Sequence, residues 1–166
     1  MRYIEQLRKY DIDYGEANIA DEQADTVRLM SIHKSKGLEF PIVIVAGMSK
    51  RFNMQDTTGS IVVHPELGVG VDAVDLEYRT KIPTFLKKVI QRKVQLENLG
   101  EELRVLYVAL TRAKEKLILI GSISNLEKKL KSFASIQSRE QTALPFGILS
   151  RATSYFDWIL PALFRN

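Results

Sequence analysis

His33, Lys34 and Lys36 fall within four positions of the chain, and Gly37 and Glu39 follow just before the apolar run Pro41-Ile-Val-Ile-Val45. Imidazole and ammonium groups at a strand end supply donors and positive charge for phosphate oxygens, while a lone carboxylate suits a sugar hydroxyl. The same residues would also make an ordinary solvated turn with incidental charge. A second cluster, Glu101, Glu102, Arg104, Tyr107, Thr111 and Arg112, runs into Lys116-Leu-Ile-Leu-Ile120. On a helix, Arg104 and Arg112 fall near one face, about two turns apart. An arginine held at a helix end against a sheet can reach across a cleft to a phosphate, where it stabilises charge in phosphoryl transfer. The competing reading is a surface arginine paired with Glu101 or Glu102. Tyr107, between Leu106 and Val108, reads as core.

Two further basic stretches, Lys87, Lys88, Arg92, Lys93 and Lys128, Lys129, Lys131, read as solvated helix faces or as part of a nucleic-acid track. The net charge of +4 suits a polyanion but does not identify one. There are no cysteines and two histidines, so thiolate sites and disulfides are excluded and no metal site is expected. No G-x-x-x-x-G-K-[ST] phosphate loop occurs. The hydrophobic fraction of 45% and charged fraction of 27% over 166 residues describe one ordinary globular domain. No apolar run reaches membrane-spanning length, and Met1–Tyr10 reads as an amphipathic helix rather than a signal peptide, so a cytoplasmic location is the default expectation.

The elements that must position these clusters follow from periodicity. A helix is expected over Arg2–Tyr10, an acidic connection over Asp11–Asp25, and a strand over Val27–Ile32. His33–Gly37 should be a short helix or turn, and Ile42–Ala46 a strand covered on both faces. Ser49–Thr58 reads as a polar mobile loop. Ser60–His64 and Gly68–Asp72 read as a β-hairpin around Pro65-Glu-Leu-Gly68. Pro83 would open a long helix from about Thr84 to Ala109, bent or broken at Gly100. A strand at Lys116–Ile120, a basic helix at Asn125–Phe133, a polar connection at Ser135–Leu144 and a final helix at Gly147–Leu163 complete the pattern. This implies an α/β layered fold with a mainly parallel sheet and a β-hairpin insertion, short of strands for a complete doubly wound domain.

The string His33-Lys-Ser-Lys-Gly-Leu-Glu-Phe40 resembles the fifth motif of UvrD-like, superfamily 1 DNA helicases. Leu106-Tyr-Val-Ala-Leu-Thr-Arg-Ala-Lys114, with Glu101 and Glu102 before it, resembles their sixth. Leu67-Gly-Val-Gly-Val-Asp72 and Ser154-Tyr-Phe-Asp-Trp-Ile-Leu-Pro161 further resemble the A subunits of AddAB-type helicase–nucleases. The resemblance implies a three-layer RecA-like lobe, related to phosphate-loop NTPases and incomplete as a fragment. Its expected divisions are 1–25 as the tail of an inserted helical region, 26–124 as the lobe and 125–166 as a helical extension. It implies that Arg112 contacts the ATP γ-phosphate, that Glu39 with Gly37 borders the nucleotide, and that His33, Lys34 and Lys36 lie toward single-stranded DNA. Glu102, Arg104, Tyr107 and Thr111 match motif positions without an assigned role.

The implied cofactor is ATP with Mg2+. The implied partners are single-stranded or duplex DNA, an N-terminal lobe of the same polypeptide and a B subunit; no membrane is expected. The Mg2+-binding lobe and the nuclease domain are not represented, so this chain alone is expected to be inactive although its parent would serve double-strand-break repair. The alternative is a non-enzymatic DNA- or protein-binding module of the same fold.

Overall fold

The structure, a computed structural model, describes residues 26–133 and 143–163. The helix expected at Arg2–Tyr10, the connection at Asp11–Asp25 and most of that at Ser135–Leu144 lie outside these residues. In chain order the elements are β1 (Phe40–Val45), a 3-10 turn (Gln55–Thr57), β2 (Ile61–His64), β3 (Gly68–Asp75), β4 (Thr80–Pro83), α1 (Phe85–Leu110), β5 (Ala113–Leu119), α2 (Leu126–Phe133), α3 (Phe146–Leu149) and α4 (Phe156–Leu163). Two compact units divide the chain at Met30/Ser31. The described part of the first has no regular structure, with Val27 and Leu29 fully exposed. The strand expected at Val27–Ile32 is therefore not formed. Alternation supplies a face, but a strand also needs a neighbour for its backbone groups.

In the second unit, β1 and β5 pair in parallel, Ile42 opposite Lys116 and Val45 opposite Leu119. This two-stranded pair is the only parallel sheet among the described residues. One face carries half-buried Val43 and buried Val45, while Ile42 and Ile44 on the other remain more than half exposed. The apolar run of β1 thus has the two-sided character of a central strand, but only one of its faces is covered among the described residues.

The expected hairpin forms with Ile61 opposite Val71 and His64 opposite Gly68, the latter at φ +83° in the turn. A third strand, β4, not anticipated from the sequence, pairs antiparallel to β3. Asp75 turns the chain between them, its Oδ1 accepting from the amides of Glu77 (2.9 Å) and Tyr78 (3.0 Å). Pro83 ends β4 rather than opening the helix, a position at a sheet edge where its missing N–H costs little. Thr84 instead caps α1, its Oγ1 accepting from the Lys87 amide at 3.3 Å and donating to the Val71 carbonyl at 2.7 Å.

Helix α1 runs its full 26 residues without a break at Gly100. Its amino-terminal half carries the β2–β4 sheet. Gly70 lets the two approach, because a Cβ there would lie 2.6 Å from the Lys87 Cα. Lys87, 4% exposed, donates to Asp72 (2.7 Å) and to the Ser60 carbonyl (3.0 Å). His64 is also buried. Its Nδ1 accepts from the amides of Glu66 and Leu67, so Nε2 carries the proton and donates to Glu97 at 3.2 Å.

The carboxyl-terminal half of α1 supplies Leu99, Leu106 and Ala109 to a core shared with Val45, Met48, Ala152 and Trp158. Ser49–Thr58 is not simply a polar loop. The Phe52 amide donates to the Thr153 carbonyl at 2.8 Å, and its ring packs 5.0 Å from both Tyr155 and Trp158. The final helix is two, α3 and α4. Asp157 starts α4 afresh by reaching back to the amides before it, its Oδ2 accepting from the Thr153 amide at 2.7 Å and the Ser154 amide at 3.0 Å. Burial pushes the Asp157 carboxyl up, but hydrogen bonds from Lys129 and Thr153 outweigh it and hold the pKa below its ordinary value.

Candidate functional site at the amino ends of the parallel strands

Chain register brings the two polar clusters together. Phe40 and Ala113 are partners at the start of β1 and β5, so the residues preceding each strand share one rim. Ligands of open parallel sheets usually sit at the carboxyl ends of strands; here the candidate groups gather at the amino ends. On the β1 side the chain enters through hydrogen-bonded turns, the Ser35 amide donating to the Ser31 carbonyl (3.2 Å) and the Leu38 amide to that of Ser35 (3.0 Å). Ser35 is buried, its Oγ donating to the Ile32 carbonyl at 2.7 Å, and Gly37 takes φ +84°, a conformation that favours glycine. His33, Lys34, Lys36 and Glu39 are exposed on this turn.

On the β5 side, α1 ends at Leu110 and Thr111 is its C-cap. Arg112 folds back along the helix end. Its Nε donates to the Val108 carbonyl (3.0 Å), Nη1 to the Leu38 carbonyl (2.8 Å) and Nη2 to Thr111 Oγ1 (2.9 Å). The Phe40 amide donates to the Arg112 carbonyl at 2.9 Å, so the two clusters are joined by main chain and side chain together. Lys114 lies 3.6 Å from Glu39, an exposed ion pair between the residues that follow Leu38 and precede β5's apolar run. Glu39, Thr111, Arg112 and Lys114 thus occupy one place, and Lys114 is the member that sequence reasoning did not single out.

The other motif positions go elsewhere. Arg104 pairs with Glu101 on the exposed helix face, as the competing reading had allowed for a helix arginine. Tyr107 is 69% exposed, which corrects its expected place in the core. The turn of α1 that buries Leu106 and Ala109 points position 107 outward. Glu102 accepts a hydrogen bond from the Tyr155 hydroxyl, and burial together with Glu102 pushes that phenol well above its ordinary pKa. Nothing local in the sequence marks Tyr155 as a contact of this helix, since the two lie 53 positions apart. His33, Ile32, Glu101, Glu102, Val105 and Tyr155 line an open depression of about 340 Å3.

The basic stretches are mostly solvated helix faces, Lys88, Arg92, Lys93, Lys128 and Lys131 being exposed, with intramolecular partners for some members. Lys87 is neither solvated nor facing outward. Lys93 pairs with Glu97, Arg92 donates to the Ser150 carbonyl (3.2 Å), and Lys129 pairs with Asp157 (2.7 Å). Among the described residues no group of His, Asp or Glu side chains could hold a metal ion, and no helix is long and apolar enough to cross a membrane.

A parallel strand pair, a helix ending on an arginine at the strand origin, and a lysine-rich turn feeding the partner strand are the features that the two motifs share in space. The family model of the UvrD-like helicase C-terminal domain matches residues 4–124, and the chain belongs to that family. Among curated relatives it is 52% identical over 162 residues to the A subunit of the ATP-dependent helicase/nuclease of Lachnoclostridium phytofermentans, covering 98% of this chain and 12% of that protein. The protein of the same description from Ruminiclostridium cellulolyticum is 48% identical over 165 residues, 99% of this chain and 13% of its own length. That of Desulforamulus reducens is 45% identical over 166 residues, 100% and 13%. The chain therefore spans about one eighth of the length of these relatives.

Proposed function

We propose that this chain is the second motor lobe of an ATP-dependent helicase–nuclease that works on DNA in double-strand-break repair. Residues 26–124 form the lobe, the preceding residues are the tail of an inserted region, and 125–166 are an extension whose Ala152 and Trp158 join the lobe's own core. The observation that carries the reading is the junction of Arg112 with Leu38 and Phe40, which sets an arginine and the Glu39 carboxylate on one exposed rim.

That rim fits a nucleotide. A guanidinium has five N–H donors, and three of those of Arg112 are engaged, one on each nitrogen, leaving two for phosphate oxygens. Glu39 is exposed and, among the described residues, paired with Lys114 alone, so it can accept a ribose hydroxyl. ATP with Mg2+ supplies the phosphoryl group whose transfer drives the motor. Arg112, already oriented, adds positive charge where negative charge develops, at little reorganisation cost. His33, Lys34 and Lys36, on the turn that leads directly to Glu39 and the Arg112 contact, face single-stranded DNA. Closure of an N-terminal lobe onto the rim completes the ATP site, and a B subunit is the expected partner in the assembly.

The test is DNA-stimulated ATP hydrolysis by the full-length protein carrying this lobe. Arg112→Ala should lower kcat by roughly a thousandfold or more while nucleotide binding persists, and this chain alone should not turn over ATP. An Arg112→Ala enzyme within a few-fold of wild type would overturn the assignment in favour of a non-catalytic binding module.

A further inference from the structure

Arg112 is useful only if its guanidinium is held at the rim, and one of the three groups that accept from it is the hydroxyl of the residue before it. The geometry assigns Thr111 as a positioning residue for Arg112, acting through the hydrogen bond from Arg112 Nη2 to Thr111 Oγ1; this rests on the function proposed above for Arg112.

Thr111 is the C-cap of α1, where the last carbonyls of the helix lack intrahelical partners. Its Oγ1 lies 3.0 Å from the Tyr107 carbonyl and 3.1 Å from that of Val108. Carbonyls accept only, so the single hydroxyl proton of Thr111 is directed to the helix end. What Oγ1 presents toward Arg112 is therefore a lone pair, and Nη2 donates to it at 2.9 Å. Val108 accepts both the Thr111 hydroxyl and Arg112 Nε, so one carbonyl references both side chains to the helix axis. With Leu38 accepting from Nη1, each guanidinium nitrogen has an acceptor, and the plane of the group is defined by three points. Two of those acceptors are main-chain carbonyls of Val108 and Leu38, which a side-chain substitution does not remove. Thr111 is the one acceptor supplied by a side chain, and it is exposed, so its hydroxyl contributes little to the core.

Substitution separates shape from hydrogen bonding. Thr111→Val keeps the volume and branching but has no lone pair, whereas Thr111→Ser keeps the hydroxyl and loses a methyl group. In the full-length protein, Thr111→Val should lower kcat for DNA-stimulated ATP hydrolysis by roughly tenfold, the scale of one charge-assisted hydrogen bond. KM for ATP should change little, and Thr111→Ser should recover most of the rate. A second readout needs no activity. In nitrogen-15 side-chain spectra of this chain, the Arg112 Nη2 protons should be slowed in exchange and rotation in wild type and Thr111→Ser, and averaged in Thr111→Val.

Equal Arg112 signals in wild type and Thr111→Val, or a rate loss that Thr111→Ser does not restore, would overturn the assignment. If Arg112→Ala leaves the rate intact, the function of the rim is wrong, whereas the spectra alone report whether Thr111 holds the guanidinium.

Discussion

Lys87 and Asp72 show what a single pair does for this molecule. The lysine side chain is 5% exposed and the aspartate 20%, so the charge is desolvated mainly on the lysine side. Asp72→Ala would leave a buried ammonium with only the Ser60 carbonyl, and should destabilise the chain by about 3 kcal/mol. Replacing both with apolar residues, Lys87→Met with Asp72→Leu, should cost much less than the sum of the single changes. Denaturant unfolding of the four species, read as a double-mutant cycle, checks both expectations. The pair also explains a short string that looks merely repetitive. In Leu67-Gly-Val-Gly-Val-Asp72, Gly68 takes the turn, Gly70 admits the helix and Asp72 neutralises the lysine that the helix brings with it.

At the scale of elements, α1 carries two glycine tests of opposite sign. Gly70→Ala on β3 places a methyl group 2.6 Å from the Lys87 Cα, so strand or helix must move, at a cost of about 1–3 kcal/mol. Gly100→Ala, in mid-helix with nothing within 4 Å of the new Cβ, should stabilise by about 0.5–1 kcal/mol. Thermal or urea midpoints of the two variants decide the signs. The same helix shows what a sequence reveals and what it conceals. Its existence, the hairpin and β5 are legible because period and turn chemistry are local. The strand expected at Val27–Ile32 is not, since pairing depends on a neighbour that alternation cannot supply. β4 is concealed by its brevity and exposure, and the division of the last helix by an aspartate that turns back to the amides of Thr153 and Ser154. Arg112 is legible as a residue, but its Leu38 partner lies 74 positions away and has no local signal. Tyr107 misleads because apolar neighbours in sequence need not be neighbours in space.

For the whole molecule, the titrating contacts bound the pH range of stability. Asp157 has its pKa lowered in the folded state, so its contribution is complete above the ordinary value of 3.8 and is lost as pH falls through the lower folded value. Tyr155 is raised, so its contribution is complete below 10.0 and is lost as pH climbs beyond it. Thermal midpoints across pH should fall at both ends, with Asp157→Asn flattening the acid limb and Tyr155→Phe the alkaline one. Both residues belong to the segment that fastens the carboxyl-terminal helices: Asp157 to α2 through Lys129, Tyr155 to α1 through Glu102.

The length of α1 has a mechanical consequence. Twenty-six residues make a rod of about 39 Å, clamped to the outer sheet along its first half and ending one residue short of the Thr111–Arg112 junction. Pivoting such a rod by about 5° at its middle swings either tip by about 1.7 Å, more than half the length of the bond between Arg112 and Leu38. A displacement of the β2–β4 sheet would therefore reach the arginine only if it also moved the core residues Leu99, Leu106 and Ala109 that hold the far half of the helix.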